Sequence, residues 1–180
     1  ITCATEKRLV DAFETIEEIA DTLPISTQTR QTAVDIYLNA FRGGVTDGRE
    51  QTTFVAACLQ LASVKSEQVI PSSRLDDVED VDLDRFHGYR QTIETGTQLS
   101  LPTSTPIDYV WFLSATDVIS DETEPLVREL LQAVSGNTKL VGKDPSGVAA
   151  TAAYIVSDSL TQRAVATTVG VSIETIRRRS

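Results

Sequence analysis

The stretch GREQTTFVAACLQLAS, residues 48–63, is apolar or small on nearly every side. A helix of that kind is stable only when other helices surround it, because no face is left to meet water. The stretch therefore predicts the middle of a helical bundle, and its neighbours supply the surround. Upstream, Leu9, Val10, Phe13, Ile16, Ile19, Ala20 and Leu23 fall at spacings of three and four, one face of an amphipathic helix that Pro24 ends. Ser26 or Thr27 caps a second helix, whose Ala33, Ile36, Tyr37, Ala40 and Phe41 keep the same period until Gly43 and Gly44 stop it. Strand-like alternation is hard to find anywhere, so the chain reads as all-α.

The pattern then repeats. Residues 94–106, ETGTQLSLPTSTP, lack periodicity and read as a linker. Beyond them Ile107, Val110, Trp111, Val118 and Ile119 outline one helix, and Leu126, Val127, Leu130, Leu131 and Val134 outline another. The segment DPSGVAATAAYIVSDS, residues 144–159, then matches residues 48–63 at an offset of 96, which sets Pro145 opposite Arg49. Asp144 as N-cap and Pro145 at the first helical position mark its start. The expected organisation is two copies of a five-helix unit, 1–95 and 107–180, joined by a linker at 96–106.

Composition narrows the function classes. With 180 residues, 41% of them hydrophobic, the chain can bury one large core or two small ones. Its formal net charge is -10, and Lys7, Lys65, Lys139 and Lys143 are its only lysines. So many surface carboxylates repel one another, and concentrated salt relieves the repulsion, so a salt-loving source is expected. No apolar run reaches the roughly 18 residues needed to cross a bilayer, and no basic-then-apolar leader opens the chain. A cytoplasmic protein without membrane contact is expected. Methionine is absent even from position 1, and the last residues continue a helical pattern, which suggests a piece of a longer chain. Cys3 and Cys58 are too few for a disulfide framework or a four-ligand zinc site. The single histidine, His87, has no ligand-forming neighbour in sequence, and no nucleophile elbow or phosphate loop is present. Neither an enzyme nor a bound cofactor is expected.

The end of the chain carries the chemistry. In TQRAVATTVGVSIETIRRR, residues 161–179, Gln162 opens a helix-turn-helix pattern in which Ala166 is fifth, Gly170 ninth and Ile176 fifteenth. The geometry needs a small residue where the helices touch, a glycine with positive φ at the turn and a branched apolar anchor in the second helix. Thr161 and Ser172 are candidate N-caps. Four arginines, Arg163, Arg177, Arg178 and Arg179, face one carboxylate, Glu174, so positive charge is concentrated here. The corresponding end of the first half, residues 72–93, is lined instead by Asp76, Asp77, Glu79, Asp80, Asp82 and Asp84, a poor surface for phosphates.

Three segments, DGRE at 47–50, GKDPSGVAATAAYI at 142–155 and TQRAVATTVGVSIETIR at 161–177, resemble the cyclin-like repeats of archaeal transcription factor B, the counterpart of eukaryotic transcription factor IIB. The likeness extends over about residues 6–179, and the acidic surface points to a haloarchaeal member. It implies two tandem five-helix cyclin-like repeats, the second ending in a helix-turn-helix. It further implies a core that binds the TATA-binding protein on promoter DNA, touches DNA on both sides of the TATA element and helps recruit RNA polymerase. The residues matching the family's contacts upstream of TATA are Glu174, Thr175 and Arg177, while Gly48 and Arg49 would face DNA downstream. Lys143 and Arg163 are added as phosphate contacts for their charge near a loop and a helix start. Gln162 and Ser172 of the motif, with Arg178 of the arginine cluster, complete the DNA-binding set. Glu174 departs from the apolar residue usual in the family, and the family's N-terminal zinc ribbon has no counterpart in this sequence. The alternative is a cyclin-box-type protein-binding adaptor without direct DNA contact.

Overall fold

The structure, a computed structural model, describes residues 2–157 and 162–170. Among these residues the chain forms eight α-helices and no strand. It divides into two compact units, Ile1–Ser66 with Leu75–Pro102, and Glu67–Arg74 with Thr103–Ser180. The first contains α1 (Thr2–Thr22), α2 (Thr27–Arg42), α3 (Gln51–Lys65) and α4 (Leu83–Gly96). The second contains α5 (Val110–Ala115), α6 (Glu124–Val134), α7 (Pro145–Val156) and α8 (Gln162–Val169).

In the first unit α3 is the axis: α1, α2 and α4 all pack on it, and every residue from Thr53 to Val64 is buried. Phe54 anchors the arrangement, with its ring 5.9 Å from Tyr37 of α2 and 5.9 Å from Tyr89 of α4. Cys58 is buried there, and desolvation pushes its thiol pKa up, as suits a small apolar core residue. The second unit repeats the plan, with α7 packed against α6, α8 and a 3-10 turn at Pro106–Tyr109. Ser146–Ala153 is buried throughout, and Val110, Leu113, Val127, Leu131 and Val169 close the core around it.

Helix ends follow local chemistry. Ser26 accepts from the Thr29 amide (3.2 Å) to cap α2. At the other end Gly44 takes φ +70° while the Val45 amide donates to the Ala40 carbonyl (2.8 Å), a Schellman closure that needs the left-handed residue.

The structure departs from the sequence reading in four respects. The two central helices correspond at an offset of 94 rather than 96: their N-caps are Glu50 and Asp144, and the glycines two residues earlier, Gly48 and Gly142, both have positive φ. Arg49 is thus the counterpart of Lys143, not of Pro145. Helix α5 stops at Ala115 instead of reaching Ile119, because Asp117 at φ +57° and a bond from the Val118 amide to the Leu113 carbonyl (3.0 Å) close it, although Ile119 is still buried. The penultimate element of the first repeat is a 3-10 helix, Ser72–Asp77, whose only buried residue is Leu75. A carboxylate-rich stretch with one apolar anchor offers no stripe on which a longer helix would pack. Lastly, Val10 and Leu126, both expected on apolar faces, are each 52% exposed, and Ala12 takes the core position beside Val10.

These roles set the cost of change. Phe54→Ala should destabilise the protein by about 3–5 kcal/mol through cavity formation, and Val10→Ser by less than about 0.5 kcal/mol. Urea denaturation followed by circular dichroism measures both.

Candidate functional site

Each central helix is preceded by a loop built on one scheme: glycine, basic residue, acidic cap. In the first unit Gly48 sits at φ +71°, and Arg49 folds back so that its Nη1 donates to the Val45 carbonyl and to the Asp47 carbonyl (3.3 Å). Glu50 then caps α3, accepting from the Thr52 amide (2.6 Å) and the Thr53 amide (2.8 Å). The Glu50 amide donates to the Tyr89 hydroxyl (3.1 Å), and the Asp82 amide, at the N-cap of α4, donates to Thr53 Oγ1 (3.0 Å). The loop is therefore fixed to both α3 and α4. In the second unit Gly142 has φ +75°, Lys143 is exposed, and Asp144 caps α7 through the Ser146 hydroxyl (2.7 Å) and the Gly147 amide (3.0 Å).

The space beside the two loops differs. In the first unit it is a cavity of about 80 Å³ that includes Tyr37, Thr46, Arg49, Gln51 and Phe54 in its lining, with Arg8 of α1 reaching into it. The Arg8 guanidinium stacks 5.2 Å from the Phe41 ring centroid and donates to Thr46 Oγ1 (3.4 Å). Burial raises the Tyr37 phenol pKa there, partly offset by the Arg8 charge. Moving the lining residues other than Arg8 on by 94 positions gives Leu131, Leu140, Lys143, Pro145 and Val148, which all line an open apolar groove of about 560 Å³ in the second unit. The groove is open because the helical segment there starts only at Pro106, whereas α1 extends over 21 residues.

Of the expected DNA-binding residues, Gly48 and Lys143 are exposed, and Arg49 is half-buried by its bonds to the loop. Gln162 is the first residue of α8, and Arg163 is exposed on the same helix. Gly170 directly follows α8 and has φ +69°. Ser172, Glu174, Thr175, Arg177 and Arg178 lie outside the described residues. His87 is exposed, its ring centroid 5.4 Å from that of Phe86 in an edge-on arrangement, and no metal-binding cluster occurs among the described residues. The role of Glu50 as a cap was missed, although the shared triplet of glycine, base and acid at 48–50 and 142–144 carried the signal. Ser73, which bonds to the end of α8, had no signal in the sequence at all.

The caps give a pH signature. Burial pushes the Glu50 carboxyl pKa up, but hydrogen bonds from Thr53 and Thr52 outweigh this and hold it below its ordinary value. A depressed folded-state pKa contributes stability in full above the unfolded value of about 4.5, and the contribution is lost as pH falls through the folded value. Stability measured from pH 6 down to about 3 should therefore fall less steeply in Glu50→Gln than in the parent. Asp144→Ala should cost about 1 kcal/mol at neutral pH by uncapping α7, measured by thermal unfolding.

Comparison with known proteins agrees with this architecture. A profile described as the transcription factor TFIIB repeat matches residues 5–87. Transcription initiation factor IIB of Archaeoglobus fulgidus is 33% identical across 99% of this chain and 56% of its own length. The proteins of the same name from Methanosphaerula palustris and Methanococcus aeolicus are 32% and 29% identical, each across 98% of this chain and 54% of their own. The chain thus spans about half the length of the curated relatives it matches. Two helical units around buried central helices, a repeat profile matching residues 5–87 and relatives along nearly all of its length converge: the chain is similar to the repeat-bearing half of transcription initiation factor IIB.

Proposed function

We propose that this chain is the core of a general transcription initiation factor, a non-catalytic protein that binds the TATA-binding protein seated on promoter DNA. In this reading it contacts DNA on both sides of the TATA element and helps to recruit RNA polymerase. The observation that carries the DNA-binding part is the turn after α8: Gly170, at the motif's ninth position, has the positive φ that a helix-turn-helix requires. The arginine-rich segment 171–179 follows directly in sequence.

Within this proposal Glu174, Thr175 and Arg177 read the major groove upstream of TATA, and a carboxylate at 174 favours a cytosine amino group. Gln162, Arg163, Ser172 and Arg178 position the helix-turn-helix on phosphates, Lys143 adds a cation from the second unit's loop, and the Gly48–Arg49 loop lies near DNA on the other side. Arg49 shapes that loop through its carbonyl bonds, so its loss acts on loop conformation as well as on charge. A chain of net charge -10 gains little from general attraction to DNA. Binding accordingly depends on the TATA-binding protein and on the bend that protein imposes.

A second reading, a cyclin-box-type adaptor whose contacts are all with proteins, is favoured by the open groove of the second unit and by the exposed carboxylates Asp76, Asp77, Glu79 and Asp80 of the first. A gel-shift experiment on a TATA-containing promoter with its TATA-binding protein separates the two. Under the first reading Arg177→Ala weakens the ternary complex by about tenfold or more, and Arg178→Ala weakens it on all sequences alike. Under the adaptor reading neither substitution changes it.

A further inference from the structure

Glu67–Arg74 precedes α4 in sequence yet belongs to the second unit. Bonds to that unit include two that bear on its helices. The Val69 amide donates to the Asp108 carbonyl (3.0 Å), and the Ser73 hydroxyl donates to the carbonyl of Val169 (3.2 Å), the last residue of α8. The final carbonyls of a helix have no partner within it, so a hydroxyl at this point replaces water and fixes the helix end.

The next residue is Gly170. A Cβ built on it would lie 2.0 Å from Ser73 Oγ and 2.6 Å from Ser73 Cβ. Glycine is thus required twice, once by its φ of +69° and once by the closeness of Ser73. Beside this contact is a polar cavity of about 230 Å³, lined by Ser72, Ser73, Tyr109, Asp144, Ser146 and Gly170 among others. Close packing therefore does not wedge the turn on that side, and the Ser73 contact sets its position.

We propose that Ser73 is a positioning residue for DNA reading: by holding the end of α8 and the turn at Gly170, the segment 67–74 fixes the direction in which the chain enters 171–179. The proposal rests on the DNA-binding reading above. Base contacts depend steeply on hydrogen-bond angle and distance, so an error at the turn acts on sequence discrimination before it acts on overall affinity.

The test uses the full chain with its TATA-binding protein, on a promoter with the upstream element intact or scrambled. Discrimination, the ratio of the two affinities, should fall about fivefold in Ser73→Leu, the size of one lost hydrogen bond. The complex on the scrambled promoter and the unfolding midpoint should stay as in the parent. A merely structural role would weaken both promoters alike, and that outcome overturns the proposal. Gly170→Ala should lose discrimination too, and adding Ser73→Gly should restore part of it by removing the clash. Parental discrimination in both Ser73→Leu and Gly170→Ala, with Arg177→Ala still damaging, overturns the proposal and leaves the DNA-binding reading intact. If Arg177→Ala is silent, the DNA-binding reading is what fails. Amide exchange without DNA then decides the positioning claim: several-fold faster exchange at Gly170 in Ser73→Ala upholds it, and unchanged exchange refutes it.

Discussion

A helix buried on every side has to be placed by its ends. The sides of α3 and α7 are mostly apolar or small, and their buried polar residues are few: Thr53, Gln60 and Ser63 in the first, Ser146 and Thr151 in the second. Position comes instead from the loops that precede them. Glu50 and Asp144 satisfy free amides at the first turn, Gly48 and Gly142 supply the left-handed bend, and the Glu50 amide joins α3 to Tyr89 of α4. An error in either loop displaces an axis on which several other helices pack.

The two units use this scheme to different ends. In the first, α1 is long enough to bring Arg8 over Phe41 and fill the space beside the loop, and Arg49 is bound back onto backbone carbonyls. In the second, the corresponding space is open and the corresponding base, Lys143, is free to meet solvent. The first unit also ends in carboxylates, whereas arginines collect after α8. The two units share one plan for the central helix and its loop, and their sequences differ in charge at the ends.

Much of this was legible in the sequence because the governing interactions are local. Ser26, Gly44 and the Asp144–Pro145 pair each act within a few residues, and each marks an observed helix boundary. The slide between the two central helices was not legible from apolar pattern, because a segment that is small or apolar all round matches itself at several shifts; only the polar triplets 48–50 and 142–144 break the degeneracy. Helix α5 looked longer than it is because Ile119 is a core residue reached through a closing turn and not along a helix face. Ser73 and Val169 stand 96 residues apart, and nothing short of the folded chain brings a serine to that carbonyl.

The most direct test of the account is a hydroxyl-radical footprint of promoter DNA with the TATA-binding protein alone and then with this chain added. New protection upstream of the TATA element, removed when the chain is cut after Gly170, is the predicted result. A footprint that stays that of the TATA-binding protein alone, while the two proteins co-sediment on the DNA, would contradict it.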